Sequence, residues 1–281
     1  MVKNRIKSYL IITVIYVFAI ILGIWVYNLL SFDLYLNLLI ADVISTIFVF
    51  IFSLILKNAS VYDPYWSVQP IVIVLALGIE KGFNLVSLLL SLVVLIWGIR
   101  LTTNWAYTFH SFEYEDWRYR MLREKTKVFY PLINLLGIHM FPTLVVYLCV
   151  LPIVFTFEYA CTLNVVTIIG LVISIFAFSI QGIADIQMHK FRKKKSKGLI
   201  REGLWKYSRH PNYLGEILMW WGVGIAVVSV LPQMFFLLIG AIVNTLMFLF
   251  VSIPMADKRQ SRKEGYEQYK EETRMLLPIR K

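Results

Sequence analysis

The apolar residues of this chain arrive in unbroken runs, and the length of those runs constrains the fold more than any other feature. Roughly 20 predominantly apolar residues are needed to cross a hydrocarbon layer as a helix. Runs that meet or approach this length lie near residues 8–30, 34–56, 65–80, 84–103, 128–152, 162–184, 212–231 and 234–256. Inside lipid every backbone polar group must be satisfied within its own segment, so these runs are expected to be helices. The expectation is an all-α, polytopic integral membrane bundle of seven or eight transmembrane helices. The third run decides between the two numbers, being short and preceded by the polar break Asn58–Pro64. Pro142 and Pro152 predict a kink or an end in the fifth. The first is read as a retained helix. Met1–Lys7 is basic, but the apolar run that follows is too long for a signal peptide and lacks a small-residue cleavage site.

The 28 Lys and Arg residues outnumber the 17 Asp and Glu, for a net charge of +11. Such an excess invites a nucleic-acid reading, and its distribution argues against one. Twenty-seven of the 28 fall in residues 3–7, at Lys57, or in residues 100–127, 190–209 and 258–281, which share one face in an eight-helix arrangement. The positive-inside rule makes that face cytoplasmic, with both termini inside, as in a bacterial cytoplasmic membrane. Charged residues are 16% of the chain against about a quarter in soluble domains. No repeat or linker divides residues 1–281, which read as a single transmembrane domain. Within it, residues 1–96 supply the N-terminal helices. Residues 104–127 interleave aromatic and charged residues and predict an amphipathic helix at the membrane surface, with Trp105 and Trp117 at the interface.

The densest polar constellation lies between the sixth and seventh runs. Gln181 and Asp185 are four apart and share a helical face. They are followed by Arg192, the run Lys193–Lys195, Arg201, and then GLWKYSRHPNYLGE over residues 203–216. Pro211 suits the first turn of a helix, and Glu216 shares a face with Asn212. Carboxylates and amides at lipid depth are expensive, so they should face the bundle interior or a wet cavity. Arg209, His210 and the first amides of that helix would offer donors and positive charge to a polyanion such as a dinucleotide pyrophosphate. The plainer alternative makes Asp185 and Glu216 counterions to basic residues that only obey the positive-inside rule. No GxGxxG follows a strand, so no Rossmann domain is expected. Gly222 and Gly224 fit small-residue helix packing. The four histidines, His110, His139, His189 and His210, have no metal-site spacing, and Cys149 and Cys161 are expected to be packing residues.

The segment GLWKYSRHPNYLGE, with WGIRLTTNW and EDWRYRMLRE upstream and GYEQYKEETRMLLP in the tail, resembles the steroid 5α-reductase C-terminal superfamily. The nearest branch is its bacterial group of membrane proteins known as DUF1295. The resemblance covers about residues 97–278 and implies a cofactor-binding region for NADPH. Carried over position by position, the family's amide–xxx–Asp pair is similar to Gln181 and Asp185, and its next arginine to Arg192. Its Arg-x-Gly is similar to Arg201 and Gly203, before the aromatics Trp205 and Tyr207. Its Asn-Tyr-x-Gly-Glu is similar to Asn212, Tyr213, Gly215 and Glu216. Lys258 and Arg262 stand where the steroid enzymes offer histidine and tyrosine. Arg100 would either clamp a phosphate or snorkel to the interface. The expected pyrophosphate set is Arg100, Arg192, Arg201, Arg209 and Asn212, with Asp185 and Glu216 orienting ribose or nicotinamide.

Steroid reductases place a glutamate and a tyrosine on early helices to polarise the substrate. No clean match to that glutamate is evident here. Asp63 and Tyr65, entering the third helix, are the candidate catalytic residues, although Asp63 before Pro64 equally fits a helix N-cap. Asp42 and Glu80 look structural. Residues 115–119 read either as part of the family pattern or as a salt-bridged surface helix, and His139 as an interior histidine. The expected function is an NADPH-dependent oxidoreductase of lipid metabolism acting on a CH–CH bond, reducing a carbon–carbon double bond in a sterol- or enone-like lipid. Its partners would be that hydrophobic substrate and the surrounding lipids, with no nucleic acid, no protein partner and no metal. Two alternatives remain. One is a methyltransferase of the isoprenylcysteine type using S-adenosylmethionine, which the basic stretch Asp257–Glu264 does not favour. The other is a lipid-binding membrane protein without catalysis.

Overall fold

The structure is a computed structural model that describes residues 2–194 and 198–279, with side chains from Asn4 onward. Among the described residues the regular elements are helical, apart from one isolated bridge between Ser208 and Arg274. In chain order the principal helices are α1 (Val2–Leu29), α2 (Leu34–Ile55), α3 (Tyr65–Lys81), α4 (Leu85–Thr108), α5 (Trp117–Phe155), α6 (Val165–Lys193), α7 (Pro211–Val230), α8 (Pro232–Gln260) and the short α9 (Tyr266–Glu272). Seven of these are long and apolar enough to cross a membrane: α1, α2 and α4 through α8. The protein is therefore an all-helical integral membrane protein. The third predicted run is helical as α3, but its 17 residues, with Pro70 inside, leave it outside that group of seven.

Prolines shape α5 and α8 without ending them. In α5 a π segment, Asn134–Met140, stops two residues before Pro142, and in α8 another, Phe248–Ser252, stops two residues before Pro254. A proline ring collides with the carbonyl four residues earlier, and a widened turn relieves that collision. Pro152 sits inside a continuing helix. Of the kink or end expected at Pro142 and Pro152, the end does not occur, and a local rewinding lies inside one long helix. The expected surface helix over residues 104–127 is also corrected. Residues 104–108 finish α4, a loop follows, and α5 starts at Trp117, where Asp116 accepts the Arg118 amide as N-cap at 2.9 Å.

The chain forms two compact units. The first contains residues 1–83 and 94–157, and the second residues 84–93 and 158–281. In the first, the connection between α2 and α3 is pinned by the loop before α5. The Asn58 amide donates to the Phe112 carbonyl at 2.9 Å, the Ala59 amide donates to Glu115, and the Ser60 hydroxyl accepts the Asp116 amide. Glu115 is also paired with Arg123 at 2.7 Å. Residues 115–119 therefore act as a clamp on the loop that presents Tyr62, Asp63 and Tyr65. Tyr147 is buried and donates to the Tyr35 carbonyl, and Cys149 is buried in the same helix.

In the second unit α6 and α7 pack backbone to backbone. A Cβ on Gly222 would lie 2.6 Å from the Gly170 carbonyl oxygen, and one on Gly170 would lie 2.5 Å from that of Gly222. The expectation of small-residue packing at Gly222 holds, and the Ser174 hydroxyl, 3.0 Å from the Met219 carbonyl, ties the same interface. Asn164 caps α6 in a reciprocal arrangement with Thr167.

Candidate functional site

Most predicted cofactor residues lie in the second unit, whereas Arg100, half-buried on α4, lies in the first together with Asp63 and Tyr65. Within the second unit the constellation divides into residues that hold one another and residues that face outward.

Gln181 and Glu216, placed on different helices, meet. The Gln181 amide donates to one Glu216 carboxylate oxygen at 2.7 Å and the Trp220 indole to the other at 3.0 Å, with all three side chains buried. Glu216 thus accepts from two neutral donors. The close approach requires Gly215, where a Cβ would stand 2.4 Å from Gln181 Cγ. Arg209 and His210 converge on Asp257 of α8. The His210 ring nitrogen lies 2.8 Å from Asp257 Oδ1, the Arg209 guanidinium 3.2 Å from Oδ2, and Arg209 also donates to the Thr273 carbonyl at 2.8 Å. The His210 ring stacks on Tyr213 at 5.3 Å. Asp257 was visible in the basic stretch, but nothing in its local pattern identified the two residues it would hold.

The loop before α7 is held to the tail. Trp205 is buried and donates to the Ala184 carbonyl, while the Tyr269 hydroxyl donates to the Trp205 carbonyl at 2.6 Å. Burial pushes the Tyr269 phenol up to about 12. Arg201 reaches the Gly265 carbonyl at 2.6 Å and lies over the Tyr269 ring. Gly203 turns with a φ of +62°, and a Cβ there would strike the Gln187 side chain at 2.4 Å. That same side chain accepts the Leu204 amide. Much of the segment at residues 203–216 therefore has an internal structural task.

What remains faces outward. Arg192, Tyr207 and Lys258 are exposed, and Asp185 and Tyr213 are half-buried. Asn212, half-buried in the first turn of α7, makes no side-chain hydrogen bond among the described residues. Of the run Lys193–Lys195, Lys195 lies outside the described residues. Lys263 donates to the Gly198 carbonyl at 3.1 Å, and burial, Arg259 and Arg192 together hold its ammonium below the usual lysine range. Three cations crowd in that corner, an arrangement that an anion relieves. Two buried nitrogen and oxygen atoms nearby in sequence, Arg209 Nε and Gln181 Oε1, have no hydrogen-bond partner.

The first unit carries a different kind of site. The Tyr65 hydroxyl donates to Asp42 Oδ1 at 3.2 Å, and the Gln69 amide donates to Oδ2 at 2.8 Å. All three residues are buried and line a cavity of about 360 Å³ bounded by α1, α2 and α3. The rest of its wall is mainly apolar, and it exists because Ala19, Gly23, Ala41 and Ala76 present little volume. Behind Tyr65, the Tyr62 hydroxyl bonds Thr143 at 2.8 Å, and Thr143 bonds Thr46 at 3.2 Å. His139 is fully buried, with Nδ1 placed 3.0 Å from the Asn134 carbonyl oxygen and its ring 4.6 Å from that of Tyr62.

Asp63 lies off this cavity. It accepts from the Tyr119 hydroxyl at 2.5 Å, and no side-chain cap bond starts α3, so the N-cap alternative is not realised. Burial, partly offset by Arg118, pushes the Asp63 carboxyl up to about 7. Asp42 and Gln69 are the residues that inspection of the sequence missed. Both carried a signal: an acid inside an apolar run, and an amide four residues after Tyr65 on the same helical face.

Fold and sites thus define an all-helical integral membrane protein with polar groups at membrane depth. The DUF1295 family, described as proteins of unknown function, matches residues 49–273, and the chain belongs to that family. It is also similar to an uncharacterized protein of Schizosaccharomyces pombe, 27% identical over 193 residues. That match covers 58% of this chain and 56% of the relative, so the chain spans little more than half of the relative's length. No solved structure matches the chain.

Proposed function

We propose that the protein is a membrane-embedded, NADPH-dependent reductase of a carbon–carbon double bond in a hydrophobic lipid. The observation that carries this reading is the Tyr65–Asp42 pair on the wall of a mainly apolar cavity. With Asp42 protonated, its carboxyl can donate to the Tyr65 oxygen, and the phenol hydrogen is then free to polarise a carbonyl conjugated with a double bond. Tyr65 fills that role in preference to Asp63, which is engaged by Tyr119 and does not line the slot. With Asp42 on α2 and Tyr65 on α3, the chain has an acid and a tyrosine on early helices, although both lie outside the residues that carry the resemblance to steroid reductases.

The second unit offers residues that fit a phosphate-bearing cofactor. Arg192, Arg259 and Lys263 crowd together, and Asn212 presents an unpaired amide beside the first turn of α7. Arg192, Arg201, Asn212, Tyr213 and Lys258 would hold NADPH, which supplies a hydride when bound. Arg209, His210, Gln181 and Glu216 act behind them by fixing the loop and the start of α7. The same basic surface is taken as cytoplasmic, in a bacterial cytoplasmic membrane, with both chain termini on that side where α3 completes an eighth crossing.

The test is thermal stabilisation of the purified full chain by NADPH, NADH and S-adenosylmethionine. A ligand bound to the native state adds about 2.7 kcal/mol at a hundredfold excess over its dissociation constant. The expected result is stabilisation by NADPH that falls away in Asn212→Ala and Arg192→Ala. Stabilisation by S-adenosylmethionine alone would replace the reductase with a methyltransferase, and no stabilisation by any of the three would favour a lipid-binding protein without catalysis.

A further inference from the structure

The chain carries 28 Lys and Arg residues against 17 Asp and Glu, yet no Lys, Arg or His lines the cavity of the first unit. The carboxyl groups on its wall are Asp42, engaged by Tyr65 and Gln69, and Glu80 near the end of α3. Along α3 the lining runs from Tyr65 to Glu80, about 22 Å at ~1.5 Å per residue, and between these ends it is mainly apolar. It reaches the surface at the Glu80 end, where Ile79 is 87% exposed. The donors at that rim are directed at protein acceptors. The Tyr27 hydroxyl donates to the Glu80 carboxylate, 3.0 and 3.2 Å from its two oxygens, and the Asn28 amide nitrogen turns back to the Ile24 carbonyl at 2.9 Å. The rim groups left for a ligand are chiefly acceptors: the Glu80 carboxylate and the Asn28 side-chain oxygen. Lys81, the next residue in the chain, is not part of the lining.

We propose that this cavity binds a lipid amine, an amphiphile whose ammonium head sits at the Glu80 rim and whose apolar body extends between α1, α2 and α3 toward Tyr65. An ammonium carries three donors and no acceptor, which matches a rim of acceptors. A phosphate or carboxylate head brings acceptors and a like charge to the same place, and no basic residue of the lining offsets them. A hydroxyl head supplies a donor but leaves Glu80 without a counter-charge. The assignment deepens the proposed reductase by naming the head group of its substrate, at the end remote from the reducible bond. It rests on that reading only for what Tyr65 does to the bound lipid; the binding stands on the charge and donor pattern of the wall.

The experiment places the full chain in phosphatidylcholine nanodiscs at low salt and measures binding of tritiated hexadecylamine, hexadecanol and hexadecyl phosphate against empty nanodiscs. With a net charge of +11 the chain as a whole attracts anions, so unspecific attraction favours the phosphate and the proposal requires the opposite order. The amine should bind about two- to fivefold more tightly than the alcohol, the range of an exposed charge pair, and the phosphate more weakly than either. High salt should compress these differences. Glu80→Gln should level the amine with the alcohol, and Ala76→Phe should remove binding of the amine by filling the cavity. Alcohol or phosphate binding as tightly as the amine to the unmodified chain would overturn the assignment, and that comparison needs no variant to fold. An amine preference kept in Glu80→Gln, or amine binding kept in Ala76→Phe, would also overturn it. The probes are saturated and test binding alone. Titration of NADPH on the same preparations keeps the two readings apart, because a chain that prefers the amine but does not bind NADPH loses the reductase and keeps the amine site.

Discussion

The two units treat buried polarity in opposite ways. In the second, the polar groups close on one another: Glu216 takes donors from Gln181 and Trp220, and Asp257 holds both Arg209 and His210. In the first, Asp42, Tyr65 and Gln69 are just as buried but border a void, and one acceptor among them remains open. A polar residue at membrane depth needs a reason. In the second unit the reason is largely the fold itself, and in the first the polar groups border a space that the proposed function assigns to a substrate.

The largest effect is expected where the closed arrangement is broken. Asp257→Ala leaves the Arg209 guanidinium, whose side chain is only 9% exposed, without its carboxylate, and the chain should lose about 3–5 kcal/mol of stability in reversible denaturation. A loss well under 1 kcal/mol would mean that the Asp257 contacts are incidental. In the open arrangement the same kind of deletion should affect activity more than stability. Tyr65→Phe is expected to lower kcat about a hundredfold or more, the usual contribution of a general acid, with a stability loss of no more than about 1–3 kcal/mol from the buried Asp42 oxygen left without its donor. An unfolded variant would place Tyr65 with the second kind of residue.

Glu216→Ala removes the acceptor for two buried donors and should cost about 1–3 kcal/mol, with Glu216→Gln costing less. Should NADPH binding disappear while stability is untouched, Glu216 would be a ligand contact after all. The smallest effect concerns pH. The Asp63 carboxyl is pushed up to about 7 from an ordinary value of 3.8, chiefly by burial. The folded chain therefore keeps a proton that the unfolded chain releases, and stability should decline as pH rises from about 4 to about 7, then level off. Asp63→Asn should flatten that decline, and an unchanged pH profile would show that Asp63 does not cause it.

Much of the architecture was legible because the membrane imposes it. Runs of apolar residues become helices whatever surrounds them, and α1, α2, α6 and α7 lie close to their expected positions. The misreadings arose where local pattern and tertiary contact diverge. Residues 104–127 have the composition of a surface helix, yet the chain turns at residues 109–116 so that Glu115 and Asp116 can hold the loop before α3. Pro142 allowed a kink or an end, and the π turn at Asn134–Met140 absorbs the clash without ending the helix. The polar segment at residues 203–216 was conspicuous, and most of its residues do lie in one region. What sequence spacing cannot convey is that Arg209 and His210 point at Asp257, some 47 residues away, instead of outward. For the first unit the relevant pair, Asp42 and Tyr65, is separated by 23 residues on two helices, and Asp42 alone resembled a structural acid.

The most direct test of the proposed function is hydride tracing. The purified chain is incubated with total membrane lipids and with NADPH carrying deuterium at its transferable position, and the lipids are then analysed by mass spectrometry. The account predicts one lipid class that gains deuterium and loses a double bond, with no labelling in Tyr65→Phe or Asn212→Ala. Binding of NADPH without deuterium in any lipid would contradict it.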